Sequence, residues 1–278
     1  MPSVASGYAC GILFPGSVVG EIASNMVSGE SAASLFFFDR HELVRRAIDL
    51  KESYSTSTPF PSIVIDSFLP DAVAKLICEE FPKPDFAGYR QPDSDYQKNK
   101  LGRVQESFLM GLLPFIRHML NEFNGLAFID FLEELTGIEG IIPDAHFLGG
   151  ALHQILPGGR LAIHADFNRD TRRKLDRRIN VLLYFNPDWE ERWGGHLELW
   201  DASMTRCERR ISPLFNRCAI FNTTSHSYHG HPEPLNCPQG TTRKSIALYY
   251  YTNGRDDGNS SISHGTLWKD PPVSRGGP

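Results

Sequence analysis

The run ALHQILPGGRLAIHADFN, residues 151–168, decides how this chain is read. Two stretches of β-forming residues, 151–156 and 161–164, stand on either side of a Pro-Gly-Gly turn signal. The same texture continues downstream at 179–185, 196–200, 218–221, 228–231 and 246–251, each run bounded by Gly, Pro or Asn. Seven short strands at this spacing predict an all-β sandwich or barrel. Upstream the texture differs. Ile63 to Ile65 form a β-branched run, and Pro70 then precedes Val73, Leu76, Ile77 and Phe81 at helical spacing, which Pro82 stops. Residues 83–104 are polar and read as a surface loop. Helical patterns follow over 108–123, interrupted at Pro114, and over 127–135, closed by Gly137. Helices first and an antiparallel barrel second is an α+β arrangement with helices packed on the outer face. One domain over 58–278 is expected, with helical support at 66–137 and a barrel core at 149–252. Residues 1–57 form an extension of uncertain structure, in which 41–51 has helical spacing through Leu43, Ala47 and Leu50.

Within the deciding run, His164 and Asp166 are two residues apart. Side chains at i and i+2 of a strand share a face, so an imidazole and a carboxylate project together into the barrel. HxD alone equally describes a surface histidine beside a turn aspartate. A third ligand would come from HSYHGHPEPL, which offers His226, His229 and His231. Two histidines and one carboxylate on one side of a metal leave three positions open, the donor set of non-haem Fe(II) oxygenases. The final run, RKSIALYYYT from residue 243, adds Arg243 in phase with Ser245. A guanidinium fork binds a carboxylate bidentately in a dry pocket, although a lone Arg at a strand edge is equally well a solvated charge. HxD, then His, then RxS, in that order and on expected strands, is far more specific than any of the three.

Through PFPSIVIDSFLP, LPGGRLAIHADFN, RRINVLLYFNPDW, WGGHLELWD, CAIFNTTSHSYHGHPEPL and RKSIALYYYT, the chain resembles the iron(II)/2-oxoglutarate-dependent oxygenases, in their prolyl-4-hydroxylase-like branch. The likeness covers about residues 60–252 and implies a double-stranded β-helix, a jelly-roll or cupin-like barrel. It places the metal ligands and catalytic centre on His164, Asp166 and His229, which has Pro234 and Leu235 behind it. His231 shares the strand parity of His229 and is the runner-up, and His226 has the opposite parity. The resemblance also implies that Arg243 and Ser245 bind the distal carboxylate of 2-oxoglutarate and that Tyr184 adds a phenol there. Asn180, on the same face as Tyr184, and Gln154 are further candidates to touch the cosubstrate, while His153 is expected on the opposite face. The implied cofactors are Fe(II), 2-oxoglutarate and O2, with ascorbate as a possible reductant. The implied reaction releases succinate and CO2 and oxidises a C–H bond. Halogenases of this superfamily lack the carboxylate that Asp166 supplies, so hydroxylation is expected ahead of other outcomes. Rival readings are a catalytically silent barrel acting as a sensor or interaction module, and a cupin-type metalloenzyme that does not use 2-oxoglutarate.

Composition narrows the partners. The 278 residues carry 28 Lys+Arg against 33 Asp+Glu, a formal net charge of −5 that gives no basic footprint for nucleic acid. Hydrophobic content of 41% and charged content of 22% exclude wholesale disorder. Cys10, Cys78, Cys207, Cys218 and Cys237 form no CxxC pair and no disulfide framework, and Cys237 has no visible role. No segment is apolar for the roughly 20 residues a membrane span needs. The first 26 residues lack the positive leader of a signal peptide, so a cytoplasmic protein is expected. A small-molecule or peptide-like substrate is expected, with neither nucleic acid nor membrane as partner. The segment NRDTRRKLDRR, with Arg169, Arg172, Arg173, Lys174, Arg177 and Arg178, reads as a solvated connection or a basic lip for an anionic group. The 83–104 segment, with Tyr89, Arg90, Tyr96 and Lys98, is the other candidate lip.

Overall fold

A computed structural model describes residues 36–91, 93–102, 114–255 and 262–270. Helix α1, Arg40–Ser55, is capped by Asp39, whose carboxylate accepts the Glu42 backbone N–H at 2.8 Å. Its buried residues Leu43, Ala47 and Tyr54 lie on one face. Strand β1, Ser62–Ile65, and helix α2, Asp71–Glu80, follow the expectations closely, with Pro70 at the N-cap. Strand β2, Gln97–Leu101, lies in the segment expected to be a loop. Its polar QKNKL sequence hides a strand whose stability comes from its pairing partner rather than from its own propensity. Helices α3, Pro114–Phe123, and α4, Leu126–Thr136, are the two expected amphipathic patterns. The first part of the expected 108–123 helix lies outside the described residues. Gly137 closes α4 at φ 70°, the left-handed conformation that a residue without Cβ adopts at no steric cost.

Nine further strands complete the sheet: β3, Ile142–Pro143; β4, Ala151–Ala165; β5, Arg169–Asp170; β6, Leu175–Tyr184; β7, Leu197–Trp200; β8, Cys207–Ile211; β9, Arg217–Asn222; β10, His229–His231; and β11, Arg243–Thr252. A last strand, β12, Leu267–Lys269, pairs with β4. The main hydrogen-bonded order is β1-β9-β6-β11-β4-β10-β7-β8, antiparallel at every step. The sheet curls into the nearly closed barrel of a double-stranded β-helix. Tyr184 and Phe221 from one half meet Leu197, Leu199 and Ile211 from the other in a common buried cluster.

Strand β4 makes the turn between the halves possible. Its first part pairs with β11 from Arg243↔Ile155 to Ala247↔Ala151, and its last part pairs with β10. The Pro-Gly-Gly at 157–159, expected as a turn between two strands, is instead a bulge inside one fifteen-residue strand. On β2 the register passes from Lys98↔Arg160 to Lys100↔Ile155, so two steps there match five on β4. A Cβ on Gly159 would stand 2.5 Å from Ile155 Cγ2 and 2.8 Å from the Leu156 carbonyl oxygen, so only glycine fits.

The helices cover the outer face of the β9-β6-β11 portion. Tyr250 of β11 points outward, donates its hydroxyl to the Phe123 carbonyl at 3.0 Å and packs its ring 5.9 Å from Phe128. Phe128 also stacks on Phe38 and meets Phe123 edge-on at 4.8 Å. Helix α1 lies on α4, where Arg40 pairs with Asp130 and Lys51 with Glu134, and Tyr54 donates to Asn222 of β9 at 2.6 Å. Residue 58, where the sequence reading begins the domain, lies just after this helix, and the described residues from Phe38 onward form one compact unit. Among the described residues no helix is long and apolar enough to cross a membrane.

Candidate metal and cosubstrate site

Period-two alternation carries the site. Arg243, Ser245, Ala247 and Tyr249 of β11 line a cavity inside the barrel, as do Asn180, Leu182 and Tyr184 of β6. Cross-strand partners share a face, so the register Ser245↔His153 and Arg243↔Ile155 brings His153 and Ile155 into the same lining. This reverses the expected sides of His153 and Gln154. Gln154 points outward, where its amide donates to the Pro82 carbonyl at 2.5 Å and to Tyr89 Oη at 3.0 Å and accepts from Thr242 Oγ1 at 2.8 Å.

A second irregularity aims His164. Opposite β10, the register runs His231↔Leu161 and then His229↔His164, so β4 carries one residue more than its partner. That extra residue puts Leu161 and His164, three apart in sequence, on the cavity side together. The His164 and His229 rings lie 4.5 Å apart, and His229 packs edge-on against Phe221 at 4.8 Å. His164 Nδ1 faces the Ala162 carbonyl oxygen at 2.8 Å, and His229 Nδ1 faces that of Ser227 at 2.9 Å. With each Nδ1–H donated to a carbonyl, each Nε2 keeps its lone pair for the cavity, the tautomer a metal ligand requires. His164 Nε2 stands 3.6 Å from Asp166 Oδ1 and His229 Nε2 stands 3.4 Å from Asp166 Oδ2. Donor atoms of His164, Asp166 and His229 all lie within 4.8 Å of one another, close enough to share one ion, and the imidazole–carboxylate–imidazole set suits Fe(II). Neither His226 nor His231 belongs to this group.

Arg177, read from the sequence as part of a solvated basic run, is buried at 1% exposure in the wall of this site. Its Nη2 donates to Asp166 Oδ2 at 2.8 Å and to Asn180 Oδ1 at 2.6 Å, and Asn180 Nδ2 donates to the same Asp166 oxygen at 2.8 Å. Both donors load one carboxylate oxygen, which fixes the group and leaves Oδ1 toward His164. The guanidinium lies between aromatic rings, 3.5 Å from the Tyr249 centroid and 4.6 Å from that of Phe167. Strand parity conceals the residue: the β6–β11 register slips between Tyr250↔Ile179 and Tyr251↔Arg177, which turns Arg177 to the same side as Asn180. Its position two residues before the run INVLLY, at the start of an expected strand, was the available signal. The rest of the basic run is no uniform lip either, since Arg178 is buried and Arg173 pairs with Asp170 at 2.7 Å and Asp144 at 3.3 Å.

Burial alone would push the Asp166 carboxyl up, but Arg177 and the two histidines hold it well below the usual carboxylate range. Burial and the neighbouring His229 lower the His164 imidazole. At the other end of the cavity Arg243 is 5% exposed, and its Nε donates to the Gly195 carbonyl at 2.7 Å. Tyr184 Oη accepts from Arg243 Nη2 at 3.4 Å. Gly195 has φ 73°, and a Cβ there would stand 3.0 Å from Arg243 Cδ, so the glycine pair in WGGHLELWD makes room for this arginine. Lys100 of β2 also lines the cavity, a contribution missed because β2 itself was not expected. Trp268 of β12 lies opposite His164, 5.0 Å between centroids, and Tyr96 stacks on it at 5.0 Å.

Residues 150–251 match the family profile of the 2OG-Fe(II) oxygenase superfamily, the span that holds these site residues other than Tyr96, Lys100 and Trp268. Over that span the chain is similar to the 2OG-Fe(II) oxygenases. The chain is 24% identical over 266 residues to the mouse prolyl 3-hydroxylase OGFOD1, covering 91% of this chain and 45% of that protein. It therefore spans about half the length of this curated relative. Two solved structures share the fold of this barrel. One is a prolyl hydroxylase from Trichoplax adhaerens in complex with a hypoxia inducible factor oxygen degradation domain peptide fragment, at TM-score 0.55 and 15% identity, covering 80% of this chain and 94% of that one. The other is a Pseudomonas putida prolyl-4-hydroxylase, at TM-score 0.51 and 17% identity, covering 76% and 100%.

Proposed function

We propose that this oxygenase hydroxylates a C–H bond of a peptide-like substrate, with a prolyl residue as the target, in a reaction that consumes 2-oxoglutarate and O2 and yields succinate and CO2. The observation that carries the reading is one cavity with two complementary ends. His164, Asp166 and His229 converge at one end, and Arg243, Tyr184 and Ser245 stand at the other. In this reading the first three residues hold Fe(II). Arg243 pairs with the distal carboxylate of 2-oxoglutarate, with the Tyr184 and Ser245 hydroxyls beside it. Iron and cosubstrate, when bound, supply the oxidising chemistry.

The chain's own groups do the positioning. Ala162 and Ser227 set the tautomers of the two histidines, and Arg177 and Asn180 fix the rotamer and charge of Asp166. Ile155, Leu161, Leu182 and Leu197 exclude water between the two ends. Trp268 packs on the His164 ring and Tyr96 stacks on Trp268, which holds that imidazole in place. A peptide substrate is supported by the mouse relative's name and by the peptide in the Trichoplax complex. The four described cysteines are unpaired, which supports a reducing compartment such as the cytoplasm.

The test is a panel of prolyl peptides and small molecules incubated with Fe(II), 2-oxoglutarate and ascorbate, scored by succinate and by product mass. Gain of one oxygen by a prolyl peptide, in step with succinate, is the expected result. Binding of 2-oxoglutarate without substrate-stimulated succinate would favour a silent, sensing barrel instead.

A further inference from the structure

His231 is 4% exposed, yet neither of its ring nitrogens has a hydrogen-bond partner. Buried polar groups in folded proteins are almost always paired, so two orphaned nitrogens on one ring point to an absent occupant. Its direction is fixed by the backbone. His231 follows His229 by two residues on β10 and sits opposite Leu161, so it looks into the cavity with both. The intervening Gly230 lies so close to β4 that a Cβ would stand 2.7 Å from the Ala162 carbonyl oxygen, and β10 has no room to rotate. The ring is outside the group of donor atoms that can share an ion. It shares the cavity wall with Arg243, Lys100 and Tyr184.

An occupant that satisfies this ring must carry an acceptor, because an imidazole in either charge state has at least one N–H. The positive charges of Arg243 and Lys100 in the same wall favour an anionic acceptor. We propose that His231 donates a ring N–H to the distal carboxylate of 2-oxoglutarate, the group paired with Arg243, and is a cosubstrate-binding residue rather than an iron ligand. This rests on the function proposed above. It gives the chain a cosubstrate site with an imidazole donor added to guanidinium and hydroxyls. Sites built to hydrogen-bond a ligand group discriminate strongly against ligands that lack it.

The experiment is calorimetric titration of 2-oxoglutarate into the full chain loaded with redox-silent Mn(II), for the wild type and for His231→Val, His231→Leu and His231→Gln. The two apolar variants are expected to weaken 2-oxoglutarate about tenfold or more, as loss of a charge-assisted hydrogen bond does. Mn(II) affinity should be unchanged, and the metal-free apolar variants should melt no lower than wild type, since an orphaned polar group has been removed. The Gln variant, which keeps a donor, should bind 2-oxoglutarate more tightly than either apolar variant. Equal 2-oxoglutarate affinity in wild type and the apolar variants overturns the assignment, as does loss of Mn(II) affinity with His231. If the Mn(II)-loaded wild type takes up no 2-oxoglutarate at all, the proposed function itself fails, a result distinct from uptake that is insensitive to position 231.

Discussion

His164 and His229 are direct cross-strand partners on β4 and β10, and their rings lie 4.5 Å apart. This places two ligand-type nitrogens side by side without help from any loop. The third donor, Asp166, sits one residue beyond the end of β4 and needs separate support, which Arg177 and Asn180 provide.

Because His229 and not His231 completes the group of donors, the two histidines should separate cleanly in a metal assay. His229→Ala should lose Mn(II) or Fe(II) affinity by about 100-fold or more, beyond the range of outer-shell losses. His231→Ala should retain the metal. Metal content after dialysis and titration of the metal-free proteins measures both, and the reverse pattern would move the ligand to His231.

Arg177 bears on Asp166 in the metal-free protein as the partner of a buried carboxylate. Arg177→Met leaves that charge short of its counter-ion and should cost about 3–5 kcal/mol of stability. A divalent cation supplies replacement charge, so added Mn(II) should recover more stability in the variant than in wild type. Arg177→Lys should restore little, because an ammonium cannot bridge Asp166 and Asn180 while lying between Phe167 and Tyr249. Urea midpoints with and without Mn(II) read all three.

Arg243→Ala removes the guanidinium at the far end of the cavity. Affinity for 2-oxoglutarate should fall by about 100-fold, in line with loss of a bidentate charged contact of roughly 3 kcal/mol. Affinity for Mn(II) should not change. Arg206→Ala, on an exposed side chain paired with Glu208, serves as the control and should bind like wild type. Equal losses in both variants would argue against a carboxylate site at Arg243.

Two buried imidazoles, His164 and His231, should weaken the metal-free protein in acid. Burial lowers His164, with His229 adding to it, and lowers His231 further, with Arg243 and Lys100 adding to it. A histidine whose folded pKa lies below its unfolded value of 6.5 binds its proton more readily when unfolded. Stability is therefore full above about pH 6.5 and declines as the pH falls below it. His231→Val should flatten this decline, and saturating metal should protect the His164 share. Urea unfolding at several pH values between about 5 and 8 checks the slope; a slope unchanged in the variant would remove His231 from the account.

The two ends of the site differ in how far sequence reached them. HxD and RxS were legible because each lies within one strand, where period-two alternation fixes relative orientation. The helices α2 and α4 were legible from apolar spacing and from Pro70 and Gly137. Strand β2 was not, since its polar residues are held by pairing with β4, and Lys100 was lost with it. Arg177 and His153 were misplaced for a related reason: a bulge or a register is a property of two strands, and neither is written in one.

By itself, then, the sequence determined the α+β arrangement and the family likeness, and it pointed to His164 and Asp166 as a donor pair and to Arg243 as a charged residue of the same site. All follow from local periodicity and from the chemistry of side chains a few residues apart. Tertiary structure alone grouped His229, and not His231, with His164 and Asp166, turned Arg177 from a surface charge into the partner of Asp166, and left the His231 ring unpaired beside Arg243. Those outcomes depend on where β4 bulges against β2 and β10, and on the slip of β6 against β11. One extra residue in one strand reverses which face every later side chain takes, and only the paired strand records where it falls.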